Sequence, residues 1–203
     1  GLMGKSEWRL IMVLTVICVV SGGVLGWVNA LTAPVIKAQE ELAKQRALQE
    51  ALPAATTFVE EKEFLGKTES SGRTGIVEVY RAYDDAEAKG FVFIVDQKGY
   101  GGPIRMVIGV TATGNLSGVK VISHSETPGL GAKITDAQFL TQPAFREAKA
   151  GMALAVTKDK GEVDAIASAT ISSRAVVHGV NAALSAAQSL LEVETTNGGV
   201  DVD

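Results

Sequence analysis

Residues 75–124 read GIVEVYRAYDDAEAKGFVFIVDQKGYGGPIRMVIGVTATGNLSGVKVISH. Four runs within this stretch, 75–82, 90–97, 104–112 and 116–124, are rich in β-branched and aromatic residues and predict strands. Turn formers separate them: Asp84-Asp85, Lys98-Gly99 and Thr113-Gly114-Asn115. Three residues including a glycine lie between the third and fourth runs, which predicts a hairpin. The helical patterns come later. Residues 135–140 and 144–148 read as short helices around Pro143, with a further short strand over 153–156. Residues 171–191 read as a longer helix, with Val176, Val177, Val180, Leu184, Ala187 and Leu191 on one apolar face. Sequential antiparallel strands followed by grouped helices predict an α+β domain with a mainly antiparallel sheet, not a doubly wound one.

Upstream, the composition changes. From Leu10 to Ile36 no residue is charged, and Trp8 and Trp27 bracket the apolar core as an interfacial belt would. About 20 apolar residues are enough to cross a bilayer. Val28-Asn29-Ala30 is a poor small-residue cleavage site, which favours a retained anchor over a signal peptide. Residues 35–52 are then almost wholly strong helix formers, stopped by Pro53. The predicted order is a short tail (1–9), a transmembrane helix (10–31), a stalk helix (32–53) with a solvated charged face, one α+β domain (54–193) and a disordered Gly- and Thr-rich tail (194–203). Lys5 and Arg9 before the span give a slight charge bias for a cytoplasmic N-terminus, leaving the domain outside the cytoplasmic membrane.

Several functions are disfavoured. The net charge is −4 without a basic cluster, so nucleic acid is not an expected partner. The single cysteine, Cys18, permits neither an intrachain disulfide nor a thiolate-ligated iron–sulfur cluster. His124 and His178 do not form a metal site by spacing. Gly99-Tyr100-Gly101-Gly102 and Gly129-Leu130-Gly131 lack the strand–loop–helix context of a dinucleotide site.

Two segments carry candidate chemistry. Asp164-Ala165-Ile166-Ala167-Ser168-Ala169-Thr170-Ile171-Ser172-Ser173-Arg174 sets four hydroxyls at the start of the last helical pattern. Ser and Thr there are the ordinary means of capping a helix. The same junction can hold a phosphate, since first-turn N–H groups are unpaired and the helix dipole favours negative charge. The second segment is Glu126-Thr127-Pro128-Gly129-Leu130-Gly131. Pro128-Gly129 suits the centre of a type II turn, and Gly131 lets backbone approach a ligand. As structure alone it is a plain surface turn.

These two segments, together with Gly99-Tyr100-Gly101-Gly102-Pro103-Ile104, resemble the covalent-FMN domain of respiratory ion pumps. That domain occurs in the G subunit of the Rnf complex and in the C subunit of the Na⁺-translocating NADH:quinone oxidoreductase. The likeness covers nearly the whole chain, whose shortness is closer to the Rnf member. It implies FMN joined by a phosphoester to Thr170, installed from FAD by a Mg²⁺-dependent flavin transferase, with Asp164 in the transferase's recognition pattern. Ala167-Ser168 departs from that pattern, where Ser/Thr-Gly is usual. The resemblance further implies an electron-carrier subunit of a membrane ferredoxin:NAD⁺ oxidoreductase that couples electron transfer to ion translocation, partnered by other subunits of the complex and by membrane lipid. The cofactor-contacting residues it points to are Thr170, Glu126, Thr127, Pro128, Gly129, Leu130, Gly131, Tyr100, Gly101, Ala169, Ser172 and Ser173. Tyr100 is a candidate to stack on the flavin ring or an ordinary core or interface tyrosine. Arg105 and Lys133 are candidates to pair with flavin oxygens or ordinary solvated charges, and His124 lies near the ring or at an exposed strand end. The alternatives are the quinone-reductase member, a single-span ligand-binding sensor without covalent flavin, or a structural anchor whose stalk docks other subunits.

Overall fold

The computed structural model describes residues 5–62 and 75–197. It begins with one long helix, α1 (Lys5–Ala51), which contains Pro34. The expected membrane span and stalk are thus a single helical element, and no break separates 31 from 32. From Trp8 onward it is long and apolar enough to cross a membrane. Leu10, Leu14, Ile17, Val19, Leu25 and Leu31 are all exposed along it, so the hydrophobic core of the described residues does not cover this apolar surface.

Among the described residues, the domain's sheet has five strands: β1 (Thr57–Glu60), β2 (Ile76–Asp84), β3 (Glu87–Lys98), β4 (Pro103–Thr111) and β5 (Leu116–Ser123). They lie in sequence order, and every neighbouring pair is antiparallel. The four expected strands and the β4–β5 hairpin are present. β1 was not foreseen. It is a four-residue edge strand whose Phe58 pairs with Ala82 and whose Glu60 pairs with Tyr80. Too short for a periodic pattern, it takes its conformation from the β2 backbone it meets.

β3 is buried on both faces from Phe91 to Val95, which explains an uninterrupted apolar run in place of alternation. One face, with Val79, Phe91, Phe93, Val95, Met106 and Ile108, receives the last helix, α4 (Thr170–Asn197), through Val176, Val177, Val180 and Leu184. The other face, with Tyr80, Ala82, Val92, Ile94 and Val107, receives Ala47, Leu48, Ala51, Leu52 and Ala55. The end of the expected stalk is therefore core, not a solvated spacer. Ile36 and Leu42 stay exposed, whereas Leu48 and Leu52 are buried. Gly109 makes this approach possible: a Cβ there would stand 2.2 Å from the Ala51 carbonyl oxygen.

Between β5 and α4 lie a 3-10 turn (Gly131–Thr135), α2 (Ala137–Leu140), α3 (Pro143–Arg146) and a second 3-10 turn (Thr157–Asp159). The expected strand at 153–156 is absent. The Asn181 side-chain amide takes both backbone groups of Leu154 instead, accepting from its N–H and donating to its C=O, each at 2.8 Å. An isolated parallel bridge, Val156 to Val163, is what remains of that strand. The expected disordered tail starts too early at 194. α4 continues to Asn197, and Glu194 pairs with Arg81 at 2.8 Å. Residues 198–203 lie outside the described residues.

Candidate functional site

Three segments distant in sequence line one cleft of about 540 Å³: Tyr100; Glu126, Thr127, Leu130 and Gly131; and Ser168, Ala169, Thr170, Ile171 and Ser172. The β3–β4 turn supplies the first, the segment after β5 the second, and the start of α4 the third. That volume falls in the roughly 300–1,000 Å³ range of small-molecule sites.

Glu126 holds the three segments together. Its side chain is 5% exposed, and both oxygens are committed. Oε1 accepts the Gly101 N–H at 2.9 Å, 25 residues away. Oε2 accepts the hydroxyl of Ser172, itself 2% exposed and 46 residues away. Burial alone would push the Glu126 carboxyl up. The Ser172 hydroxyl, the backbone N–H groups of Gly101 and Tyr100, and nearby His124 outweigh it and hold the pKa below the ordinary carboxylate value. His124 Nδ1 accepts the Glu126 N–H at 3.2 Å, so it orients this carboxylate's backbone.

The turn after Glu126 is as the sequence predicts. The Leu130 N–H donates to the Thr127 carbonyl at 3.2 Å, and Gly129 has φ +76, as the third position of a type II turn requires. Gly131 packs against the latch: a Cβ there would lie 2.9 Å from both Cβ and Oε2 of Glu126 and 3.0 Å from the Ser172 hydroxyl.

At the third wall, α4 begins at Thr170, so Thr170 is the first helical residue and Ala169 occupies the capping position. The ordinary capping function expected of these hydroxyls is thus not where the sequence suggests. The Ser173 N–H closes the first helical bond onto the Ala169 carbonyl at 3.0 Å. The N–H groups of Thr170, Ile171 and Ser172 precede it in the helix and have no intrahelical acceptor. Ser168 adopts φ +62, the left-handed conformation that favours glycine, at the position where the family pattern has glycine. The Thr170 hydroxyl accepts a hydrogen bond from Lys158 Nζ at 2.8 Å.

Other expected site residues fall elsewhere. Ser173 is fully buried; its hydroxyl donates to the Ala169 carbonyl and accepts the Ile166 N–H, and it does not line the cleft. Pro128, Gly129 and Gly101 shape the walls without lining the cavity. Tyr100 is 72% exposed at the lip, which excludes a core role. Arg105 pairs in bidentate fashion with its cross-strand neighbour Asp96, at 2.7 and 2.6 Å. Lys133 lines an adjacent cavity with Asp164. Neither Arg105 nor Lys133 reaches the cleft. Sequence reasoning missed Lys158, and also the bidentate pair of Asp159 with Arg174, both contacts at 2.7 Å, that fixes the turn carrying it. No motif marks that turn; only the fold brings it to Thr170.

Comparison with known proteins agrees with this geometry. A family model described as the FMN-binding domain matches residues 99–185, which include all three walls of the cleft, and one described as the RnfG N-terminal region matches residues 3–51. The G subunit of the proton-translocating ferredoxin:NAD(+) oxidoreductase complex of Clostridium ljungdahlii is 32% identical over 189 residues, covering 92% of this chain and 91% of that protein. The G subunit of the Na(+)-translocating ferredoxin:NAD(+) oxidoreductase complex of Acetobacterium woodii is 32% identical over 196 residues, with 92% and 94% covered. The crystal structure of the C subunit of the Na(+)-translocating NADH-quinone reductase from Parabacteroides distasonis shares the fold, with a TM-score of 0.57 at 20% identity over 77% of this chain and 95% of that one. Similarity to the two oxidoreductase relatives runs from the apolar helix through the cleft to α4, and the chain belongs to the RnfG family of ion-translocating oxidoreductase complexes.

Proposed function

We propose that this chain is the electron-carrier subunit of a membrane-bound ferredoxin:NAD⁺ oxidoreductase coupled to ion translocation, and that it carries FMN joined through its phosphate to Thr170. The observation that carries the reading is Thr170 itself, which opens α4 on the wall of the cleft with its hydroxyl against an ammonium. The cleft fits the group. A phosphate on Thr170 would meet the unpaired N–H groups of the first turn, worth roughly 0.3–1 kcal/mol from the dipole alone. Lys158 would supply a counter-charge. Tyr100, Thr127, Leu130, Gly131, Ala169 and Ser172 line an open, mostly apolar slot that would take a planar ring. When bound, the flavin supplies the redox chemistry, and the protein's part is to orient it.

The ion path lies in other subunits. Residues 10–36 contain no Asp, Glu, Lys, Arg or His, the residues that mark intramembrane ion and proton routes. Relatives named for proton and for Na⁺ translocation stand at the same 32% identity to this chain, as expected if the ion is selected elsewhere. The partners are those subunits, the surrounding lipid and, during maturation, a flavin transferase. The cleft-bearing domain lies outside the cytoplasmic membrane. Protease protection in sealed inside-out vesicles tests that orientation: the domain should be protected, and digestion there without permeabilisation would reverse it.

Intact mass with peptide mapping tests the linkage. Chain produced with its transferase should gain one FMN on the peptide containing Thr170 and give a fluorescent band after denaturation. Thr170→Val should lose both while the domain stays folded. An unmodified wild-type chain, or an adduct that survives Thr170→Val, refutes the attachment.

A further inference from the structure

Beside Thr170 the chain holds a structure that none of its flavin-site motifs includes. Residues 155–163 form a closed loop that delivers one lysine. The Val163 N–H donates to the Ala155 carbonyl at 3.1 Å, and the Thr157 N–H donates to the Val163 carbonyl at 2.8 Å. The Gly161 N–H donates to the Val156 carbonyl at 3.0 Å, and Lys160 turns the chain through φ +64. No side chain fits at Gly161, where a Cβ would stand 2.0 Å from the Ala155 carbonyl oxygen. The loop is then bolted to α4. Both carboxylate oxygens of Asp159 accept from Arg174, one helical turn beyond Thr170. A bidentate pair fixes orientation as well as distance. Between these two anchors Lys158 reaches the Thr170 hydroxyl at 2.8 Å.

We propose that Lys158 is the positioning residue for phosphoester formation at Thr170, holding the hydroxyl oxygen for attack and then pairing with the phosphodiester anion. The inference rests on the attachment reading above. In the step it serves, Thr170 Oγ attacks the flavin-side phosphorus of FAD, and a new Oγ–P bond forms. The bridging P–O bond of the pyrophosphate breaks, AMP leaves with its electron pair, and the hydroxyl proton passes to a base on the transferase. No oxidation state changes. An ammonium donating to Oγ leaves the oxygen a lone pair for phosphorus and its proton free to face the transferase. It also stabilises negative charge as it grows on oxygen. A threonine has three staggered side-chain rotamers, and the Lys158 contact selects one of them before the transferase arrives. Asp159 and Arg174 act one step further back, by holding the loop.

The test is reconstituted attachment on the full chain in detergent, purified without flavin and then given transferase, Mg²⁺ and FAD. Adduct gain is followed by intact mass, and AMP release is followed in parallel. Lys158 is exposed, so Lys158→Gln should fold normally. Its rate at saturating chain should fall about tenfold, the effect of one charge-assisted contact, with KM for the chain unchanged. Lys158→Arg should recover to within about threefold of wild type, since it restores the charge and the donor. A wild-type rate for Lys158→Gln overturns the proposal. So does a loss confined to KM, or an Arg variant as slow as the Gln variant. Wild-type chain that gains no adduct overturns the attachment reading and this proposal with it; equal adduct rates on wild type and Lys158→Gln overturn this proposal alone.

Discussion

Removing the Glu126 carboxylate should separate the walls of the cleft, and its cost can be worked from the contacts. Glu126→Ala deletes two charge-assisted hydrogen bonds, each worth about 1.5–3 kcal/mol. The exposed Gly101 segment can regain a water, so its share falls at the low end. The Ser172 hydroxyl, 2% exposed, loses the acceptor of its donor bond. The sum is about 3–4 kcal/mol, or roughly 6–15 °C in Tm for a domain of this size. Glu126→Gln keeps the shape: its oxygen accepts from Gly101, while its amide donates to Ser172, reversing that bond and leaving the Ser172 proton without its carboxylate acceptor. The charge assistance goes and the Ser172 bond reverses, at about 1–3 kcal/mol together. The pH dependence has a definite sign. The folded pKa of Glu126 lies below its ordinary 4.5. Its contribution is therefore fully present above the unfolded pKa and is lost as pH falls through the folded one. The gap between wild type and Glu126→Gln should be widest near neutrality and close in acid. Both tryptophans, Trp8 and Trp27, lie in α1, so indole emission does not follow the domain. Urea unfolding of the full chain in detergent should instead be monitored by near-ultraviolet circular dichroism of its tyrosines and phenylalanines. A loss under about 1 kcal/mol for Glu126→Ala, or a gap that widens in acid, would refute the latch.

Gly109→Ala should destabilise the domain by about 1–3 kcal/mol, because its Cβ must displace the Ala51 carbonyl that sits 2.2 Å away; an unchanged melting curve would show that the end of α1 does not seat there. Ser168→Gly should stabilise it by up to about 1 kcal/mol by relieving a left-handed backbone, and should leave flavin attachment intact. Thermal unfolding and adduct mass check the two halves of that statement. Gly131→Ala should drive Glu126 and Ser172 apart and lower flavin occupancy measured by absorbance, while Gly129→Ala, with nothing within 4 Å of its added carbon, should strain the turn without filling the cleft.

The strands β2 to β5 and the helix α4 are legible because each is long enough for its pattern to show, and because glycine and aspartate mark the turns. The antiparallel order follows from the brevity of those turns. What escapes is decided by tertiary pairing. β1 is four residues on an edge, and 153–156 is captured by the Asn181 amide instead of another strand. The buried end of α1 reads as a continued stalk because Ala47, Leu48, Ala51 and Leu52 are good helix formers in or out of a core. At the cleft, Thr170 and the Glu126–Gly131 turn stand out as motifs. Lys158, Asp159 and Arg174 do not, since a lysine and an ion pair on a surface loop look like solvation until the loop closes on the helix. Ser173 misleads in the opposite way: its neighbours line the cleft, but the helical period turns its hydroxyl into the core.

The Glu126 latch also orders events in time. The strands β2 to β5 form a meander of consecutive hairpins, and such local contacts form early and cheaply. The Glu126–Ser172 contact closes a loop of 46 residues and joins the meander to α4, so the carboxylate that holds Gly101 is fixed only once sheet and α4 are docked. The cleft should then be the last part of the domain to assemble. Pulsed hydrogen exchange should find the Gly101 amide protected after the β3–β4 amides. A transferase that recognises the finished cleft would modify completed chains and pass over partly folded ones, so that covalent flavin marks a domain that has reached its native state.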